Sequence, residues 1–150
     1  MSYSRNYGSP APADTGRPIF ALLKSWAAGL IVLLLTSYLQ TAYFYGALAT
    51  PERLESFADV LWLVHLPNAV CIALAVWVSA RVHAEPHRES TVQHMSAAFV
   101  VPVAAQLVGF AVTAGLPWRN LGVLSVIMSI AVLVVGCVAG YAAERLREQD

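Results

Sequence analysis

The chain has 150 residues, of which 58% are hydrophobic and only 12% are charged. Soluble domains carry roughly 25% charged residues, so this composition excludes an ordinary globular protein and indicates a membrane protein. Nine basic and nine acidic residues cancel, and this balance gives no electrostatic reason to expect a nucleic-acid partner.

The first 17 residues, MSYSRNYGSPAPADTGR, are polar and rich in proline and glycine. They show no hydrophobic periodicity, which predicts a disordered cytoplasmic tail (1–17) ahead of one transmembrane domain (18–150). The apolar run that follows contains Ala47-Leu48-Ala49, which is similar to a signal-peptidase site. That run is about twice as long as the apolar region of a signal peptide, so we interpret it as a retained span.

Four apolar stretches cover residues 19–48, 57–82, 95–116 and 121–143. Each reaches the roughly 20 residues that a helix needs to cross ~30 Å of hydrocarbon. Lipid cannot hydrogen-bond to backbone amides, and strand-like alternation is missing, so these stretches are predicted to be helices. Because the connections are short, the predicted fold class is all-α: an integral membrane four-helix antiparallel bundle.

The basic residues predict how the spans are oriented. The tail, the middle loop and the C-terminal end hold seven of them: Arg5, Arg17, Lys24, Arg81, Arg88, Arg145 and Arg147. The opposite side holds only Arg53 and Arg119. With an even number of spans, this bias places both termini in the cytoplasm. The excess of Arg over Lys and the abundant Ala and Val are typical of a GC-rich bacterial genome, which suggests a bacterial inner membrane.

A group of polar side chains interrupts the predicted spans. His65, Pro67 and Asn68 lie within four residues of the second span, in the stretch WLVHLPNAVC. At a rise of ~1.5 Å per residue, Gln40 and Gln106 reach similar depths, in the outer half or near the middle of the bilayer. These residues should point inward, because a polar group without a partner in hydrocarbon costs several kcal/mol.

Two interpretations of this group stay open. The polar side chains form interhelical hydrogen bonds that fix helix register, or they line a ligand cavity. In the second case the cavity is formed by His65, Asn68, Gln40, Tyr43 and Gln106. Pro67 supports the second interpretation, because it removes the hydrogen bond to the Leu63 carbonyl and loosens the helix beside His65.

The fourth span carries small residues at helical spacing. They are Gly122, Ser125, Ser129, Gly136 and Gly140, and the last two form a GxxxG motif. Small residues on one face let another helix backbone approach closely. This face is predicted to serve either packing within the bundle or association with a second copy or a larger membrane protein.

Several chemistries are disfavoured by what the spans lack. No Asp, Glu, Lys or Arg lies deep in a span, which argues against a proton-coupled exporter. His65 and His94 are predicted near opposite membrane surfaces, which argues against bis-histidine haem ligation. Cys71 and Cys137 are far apart within apolar runs and are expected to be free thiols.

The hydrophilic segments beside the spans are expected to be solvated. The middle loop contains His83, His87 and His94, but Pro86 prevents a continuous helix that could place two histidines on one metal. The C-terminal stretch 144–150 mixes charge signs and is predicted to be the solvated end of the fourth helix. The sequence therefore predicts no metal site and no cofactor.

The leading functional hypothesis is a non-enzymatic tetraspan protein, embedded in the lipid bilayer, that acts as an accessory subunit or oligomeric scaffold. It would contact a second copy or a larger membrane complex through the fourth span. The alternative is a membrane-embedded binding or catalytic protein for a lipophilic ligand, such as a quinone, an isoprenoid or a drug, in the cavity around His65. No catalytic residue can be assigned from the sequence.

Overall fold

The computed structural model describes residues 17–48, 50–83, 90–114 and 122–147. Every regular element among them is helical, and two of these elements are π-helical segments, named π1 and π2 here. The elements are α1 (Arg17–Leu39), π1 (Gln40–Tyr45), α2 (Gly46–Leu48), α3 (Pro51–Leu54), α4 (Phe57–Val60), π2 (Leu61–His65), α5 (Leu66–Val82), α6 (Thr91–Ala114) and α7 (Val123–Arg147). The predicted tail up to residue 16, His87 with Pro86, and the C-terminal residues 148–150 lie outside the described residues.

Four helices are long and apolar enough to cross a membrane, and they fit a small membrane protein. They cover Ile19–Leu48, Phe57–Val82, Thr91–Ala114 and Val123–Arg147. The predicted all-helical class and the four spans are confirmed. The third helix begins four residues before the predicted position 95, and the fourth ends four residues after position 143. Both extensions continue the helix beyond the apolar run into polar sequence.

The backbone widens immediately before Pro67. Proline has no amide hydrogen, so the carbonyl of Leu63 loses its ordinary helical partner. The turn before Pro67 is the π segment π2, in which the Leu66 amide donates to the carbonyl of Leu61, five residues earlier. Such π segments are rare, and those that are found frequently lie at functional sites. Pro102, by contrast, lies inside α6 without interrupting it.

The core of the described bundle lies around α5, which packs against α1, α6 and α7. The buried hydrophobic residues of this core are Leu33, Cys71, Ile72, Ala75, Val76, Ala80, Ala98, Val101 and Val132. Five of these nine belong to α5. The outward faces remain apolar, since only 17–22% of the residues in the most hydrophobic window of each span are buried within the bundle.

Glycines on two helices bring the backbones of α1 and α7 against α5. A Cβ atom at Gly29 would overlap the Ser79 hydroxyl, and one at Gly140 would overlap the carbonyl oxygen of Ala73. At Gly136 it would lie 2.7 Å from Cγ2 of Ile72. Both glycines of the GxxxG motif thus lie against α5.

Replacing Gly140 by alanine should separate α7 from α5. The added methyl group meets backbone atoms, which cannot rotate away, so we expect a loss of unfolding free energy of about 1–3 kcal/mol. Reversible unfolding in mixed micelles measures this change. The matched control is Gly109→Ala in α6, where a Cβ atom meets nothing within 4 Å. Equal stability of the two variants would contradict this packing.

Candidate functional site

The side chain of Gln40 ties the first span to the second at the end of the bundle that holds π1 and π2, called the π end here. Its Nε2 donates a hydrogen bond to the carbonyl oxygen of Val64 within π2, at 3.3 Å. Its Oε1 accepts a hydrogen bond from the Sγ of Cys71, at 3.5 Å. Gln40 is buried, and its carboxamide bonds on both sides. Gln40 therefore joins the first span to the second through two hydrogen bonds.

An apolar groove, the π groove, runs between the first and second spans beside Gln40. Its volume is about 660 Å³. Its lining consists of Thr36, Leu39, Gln40, Tyr43, Phe44, Trp62, Leu66, Pro67, Val70, Cys71 and Leu74. Both π segments contribute to it, and the rings of Tyr43 and Trp62 are largely exposed. A volume of 300–1,000 Å³ with an apolar and aromatic lining is typical of small-molecule sites.

The side-chain polar groups of Thr36 and Gln40 in the π groove are already hydrogen-bonded within the protein. The Thr36 hydroxyl donates to the carbonyl oxygens of Val32 and Leu33, at 2.7 and 3.2 Å. The Gln40 carboxamide is held by Val64 and Cys71. The groove therefore presents hydrocarbon surface along its length.

His65 lines a different cavity, of about 340 Å³, between α7 and the second span. Its other lining residues are Leu61, Trp62, Leu66, Ala69, Met128, Ala131, Val132 and Val135. Trp62 and Leu66 belong to this cavity and to the π groove alike. His65 is thus the single histidine in an otherwise apolar lining, and π2 forms the wall between the two cavities.

Asn68 and Gln106 line a third cavity, the amide cavity, of about 160 Å³ between α1, α5 and α6. Its lining also includes Ser37, Leu33, Ile72, Pro102, Ala105 and Gly109. It shares no lining residue with the π groove.

The five residues predicted to form one ligand cavity are thus divided among three. Gln40 and Tyr43 line the π groove, His65 lines the cavity beside α7, and Asn68 and Gln106 line the amide cavity. On the predicted face of α7, Gly136 is buried and Ser129 is half-buried, whereas Gly122 and Ser125 are exposed.

A buried polar cluster at the opposite end, called the histidine end, was not predicted. His83 is fully buried, and its ring centroid lies 6.0 Å from that of His94. The His94 ring lies 5.8 Å from that of Tyr141. Glu144 is only 5% exposed. The expectation that these residues are solvated is therefore wrong for His83, His94 and Glu144.

Local hydrogen bonds and packing hold this end together. The guanidinium of Arg145 donates to the Tyr141 hydroxyl, at 2.8 Å from Nη2 and 3.1 Å from Nε. Nearby, the Trp26 indole donates to the carbonyl oxygen of Ser96, at 3.0 Å, and joins α1 to α6. The spacing of residues 141, 144 and 145 on one helical face was the available signal, since i, i+3 and i+4 positions are neighbours.

The chemistry available at the histidine end is that of a tight structural cluster. Across residues 17–48, 50–83, 90–114 and 122–147, no group of three metal-ligating side chains comes together. The His94 ring lies between those of His83 and Tyr141, and these ring contacts hold the ends of α5, α6 and α7 against one another.

Replacing Gln40 by methionine should weaken the pairing of the first two spans. The variant keeps the length of the side chain but loses both interhelical hydrogen bonds, so we expect about 0.6–2 kcal/mol less unfolding free energy. Unfolding in mixed micelles measures the loss. Tyr43→Phe, which removes a hydroxyl from an exposed side chain on the same turn, is the control and should stay within about 0.5 kcal/mol of the wild type. A Gln40→Met variant as stable as this control would show that the two bonds do not stabilise the bundle.

Searches against models of known protein families, curated proteins and solved structures find no match to this chain. The functional interpretation therefore depends on the geometry of the cavities and of the helix contacts.

Proposed function

We propose that the protein is a membrane-embedded binding protein for a lipophile with a long hydrocarbon chain, which lies in the π groove. The observation that carries this proposal is the apolar groove of about 660 Å³ between two spans that both widen into π segments. The class of ligand is that of the sequence-based alternative, an isoprenoid or a similar lipophile. Its place moves from His65 to the groove beside Gln40.

The shape of the groove supports a chain-like ligand. Its lining extends along the second span from Trp62 to Leu74. The twelve steps between these two residues, at a rise of ~1.5 Å each, give roughly 18 Å, more than half of the ~30 Å hydrocarbon thickness. Tyr43 and Trp62 lie at the π end, where an aromatic ring can meet the polar head of the ligand near the membrane surface. A hydrocarbon tail then contacts Val70 and Leu74 deeper in the bilayer.

The engaged polar groups favour binding over catalysis. Gln40 holds the two walls together, and its carboxamide is bonded to Val64 and Cys71 rather than turned to a ligand. The lining offers contact area instead of an acid, a base and a charge stabiliser at reacting distance. A carrier or a lipid-binding subunit is therefore the role that we assign.

We place the protein in a bacterial inner membrane with both termini in the cytoplasm and with successive spans antiparallel. Contacts between the first two spans support the opposite directions, because Gly29 faces Ser79 whereas Gln40 bonds to Val64. The seven-to-two distribution of basic residues supports the orientation.

An accessory subunit or oligomeric scaffold is the second candidate. It is favoured by the open end of α7, where Gly122 and Ser125 are exposed and a Cβ atom at Gly122 meets nothing within 4 Å. A stoichiometric protein partner in native mass spectrometry, lost in a Ser125→Leu variant, would support this role. Retention of that partner in Ser125→Leu would exclude this end of α7 as the contact.

Filling the π groove should abolish lipophile binding. Val70 lines the groove and is 51% exposed, so Val70→Trp places an indole in the path of the ligand without entering the core. We expect at least about tenfold less lipophile per protein, which requires at least a tenfold weaker affinity. Gentle extraction into nanodiscs, followed by mass spectrometry of the organic extract, measures this ratio.

The control for this experiment is Val108→Trp. Val108 is 62% exposed on α6 and does not line the groove. This variant should retain the lipophile at the wild-type ratio. Equal retention by Val70→Trp and Val108→Trp, or a wild-type protein that carries only bulk lipid, would refute the proposed function.

A further inference from the structure

The amide cavity brings together polar side chains from three helices. Ser37 comes from α1, Asn68 from α5 and Gln106 from α6. All three residues are half-buried, and they lie near the middle of their spans. Water does not reach this depth in a lipid-facing position, so polar groups here need partners inside the protein.

The hydrogen-bonding capacity of these side chains is unused within the described part of the chain. A carboxamide offers two N–H donors and one oxygen acceptor, and a hydroxyl both donates and accepts. The side-chain hydrogen bonds of the described residues include both ends of Gln40 but none from Ser37, Asn68 or Gln106. At similar depth, the carboxamide of Gln40 is thus used in helix pairing, whereas those of Asn68 and Gln106 line a cavity.

The rest of the lining limits what the cavity can accept. Leu33, Ile72, Pro102 and Ala105 form apolar walls, and no charged residue belongs to the lining. A charged molecule would find no counter-charge here, which makes its desolvation unfavourable. A volume of about 160 Å³ corresponds to roughly five water molecules at ~30 Å³ each, so the occupant is small.

We propose that the amide cavity binds a small uncharged molecule that carries a hydrogen-bond donor and an acceptor side by side, such as a primary amide. Asn68 and Gln106 lie on different helices. Each carries an N–H donor and a carbonyl acceptor side by side, which can pair with the acceptor and the donor of such a molecule. The apolar walls contact its carbon atoms. This site is separate from the π groove, and the inference stands whether or not a lipophile binds there.

Side-chain NMR of the wild-type protein in lipid nanodiscs tests the proposal, with acetamide as the probe. Titration should shift the NH₂ signals of Asn68 and Gln106 in a saturable way. The NH₂ signal of Gln40 is an internal control at similar depth, and it should stay unchanged because Val64 already accepts its hydrogen bond. No saturable shift at Asn68 and Gln106, or an equal shift at Gln40, would overturn the proposal.

Magnetisation transfer from water distinguishes a binding site from simple hydration. Before the titration, we expect the amides of Asn68 and Gln106 to contact water, and acetamide should displace that contact. Water contact that persists unchanged at saturating acetamide would reduce the cavity to structural hydration and would also overturn the proposal.

A pair of matched variants completes the test. Gln106→Leu removes one carboxamide from the cavity and should raise the Kd for acetamide at least about tenfold. Gln93→Leu removes a half-buried carboxamide of the same helix that does not line the cavity, and it should leave the Kd unchanged. An unchanged Gln40 signal in both variants shows that the bundle is intact. Equal Kd values in the two variants would contradict the assignment of Gln106 to the site.

Discussion

The close approach of two helix backbones to α5 is the constraint on which the remaining structure depends. Gly29 and Gly140 have no side chain, so α1 and α7 lie directly against the same helix, α1 at Ser79 and α7 at Ala73. Membrane helices gain little from hydrophobic burial against each other, so contact distance and hydrogen bonds decide their association. Because α5 is held in this way, π2 and the residues around Pro67 occupy defined places beside the first span.

The polar side chains within the spans differ in what lies next to them. Gln40 meets a backbone carbonyl of π2 and stabilises the pairing of two spans. Asn68 and Gln106 meet a cavity instead. The same carboxamide group therefore forms a helix contact in one place and a cavity lining in another, and the difference is one of position around the helix axis rather than of depth in the membrane.

The sequence predicts the local properties of this chain, but it does not predict the direction of a side chain around the helix axis. Apolar run length predicts the four spans, and Pro67 predicts a weakened helix beside His65, because both are local properties of the chain. The depth of a residue in the membrane also follows from counting residues. The direction of its side chain around the helix axis does not, because π1 contains no proline from which the π segment could be predicted. Gln40 and His65 were thus expected to line one cavity, but they line two different cavities. Burial of His83 and Glu144 could not be predicted either, because it arises from three helix ends that meet only in the folded bundle.

The π segments also set the angular phase of the first two spans. A π turn holds about one residue more than the 3.6 of an α turn, so each segment shifts the residues that follow by roughly 100° relative to an uninterrupted helix. Deleting one residue from π1 would restore a regular helix but would turn the side chains after the deletion by that angle relative to the second span. In this part of the chain the number of residues, and not only their identity, determines which side chains face one another.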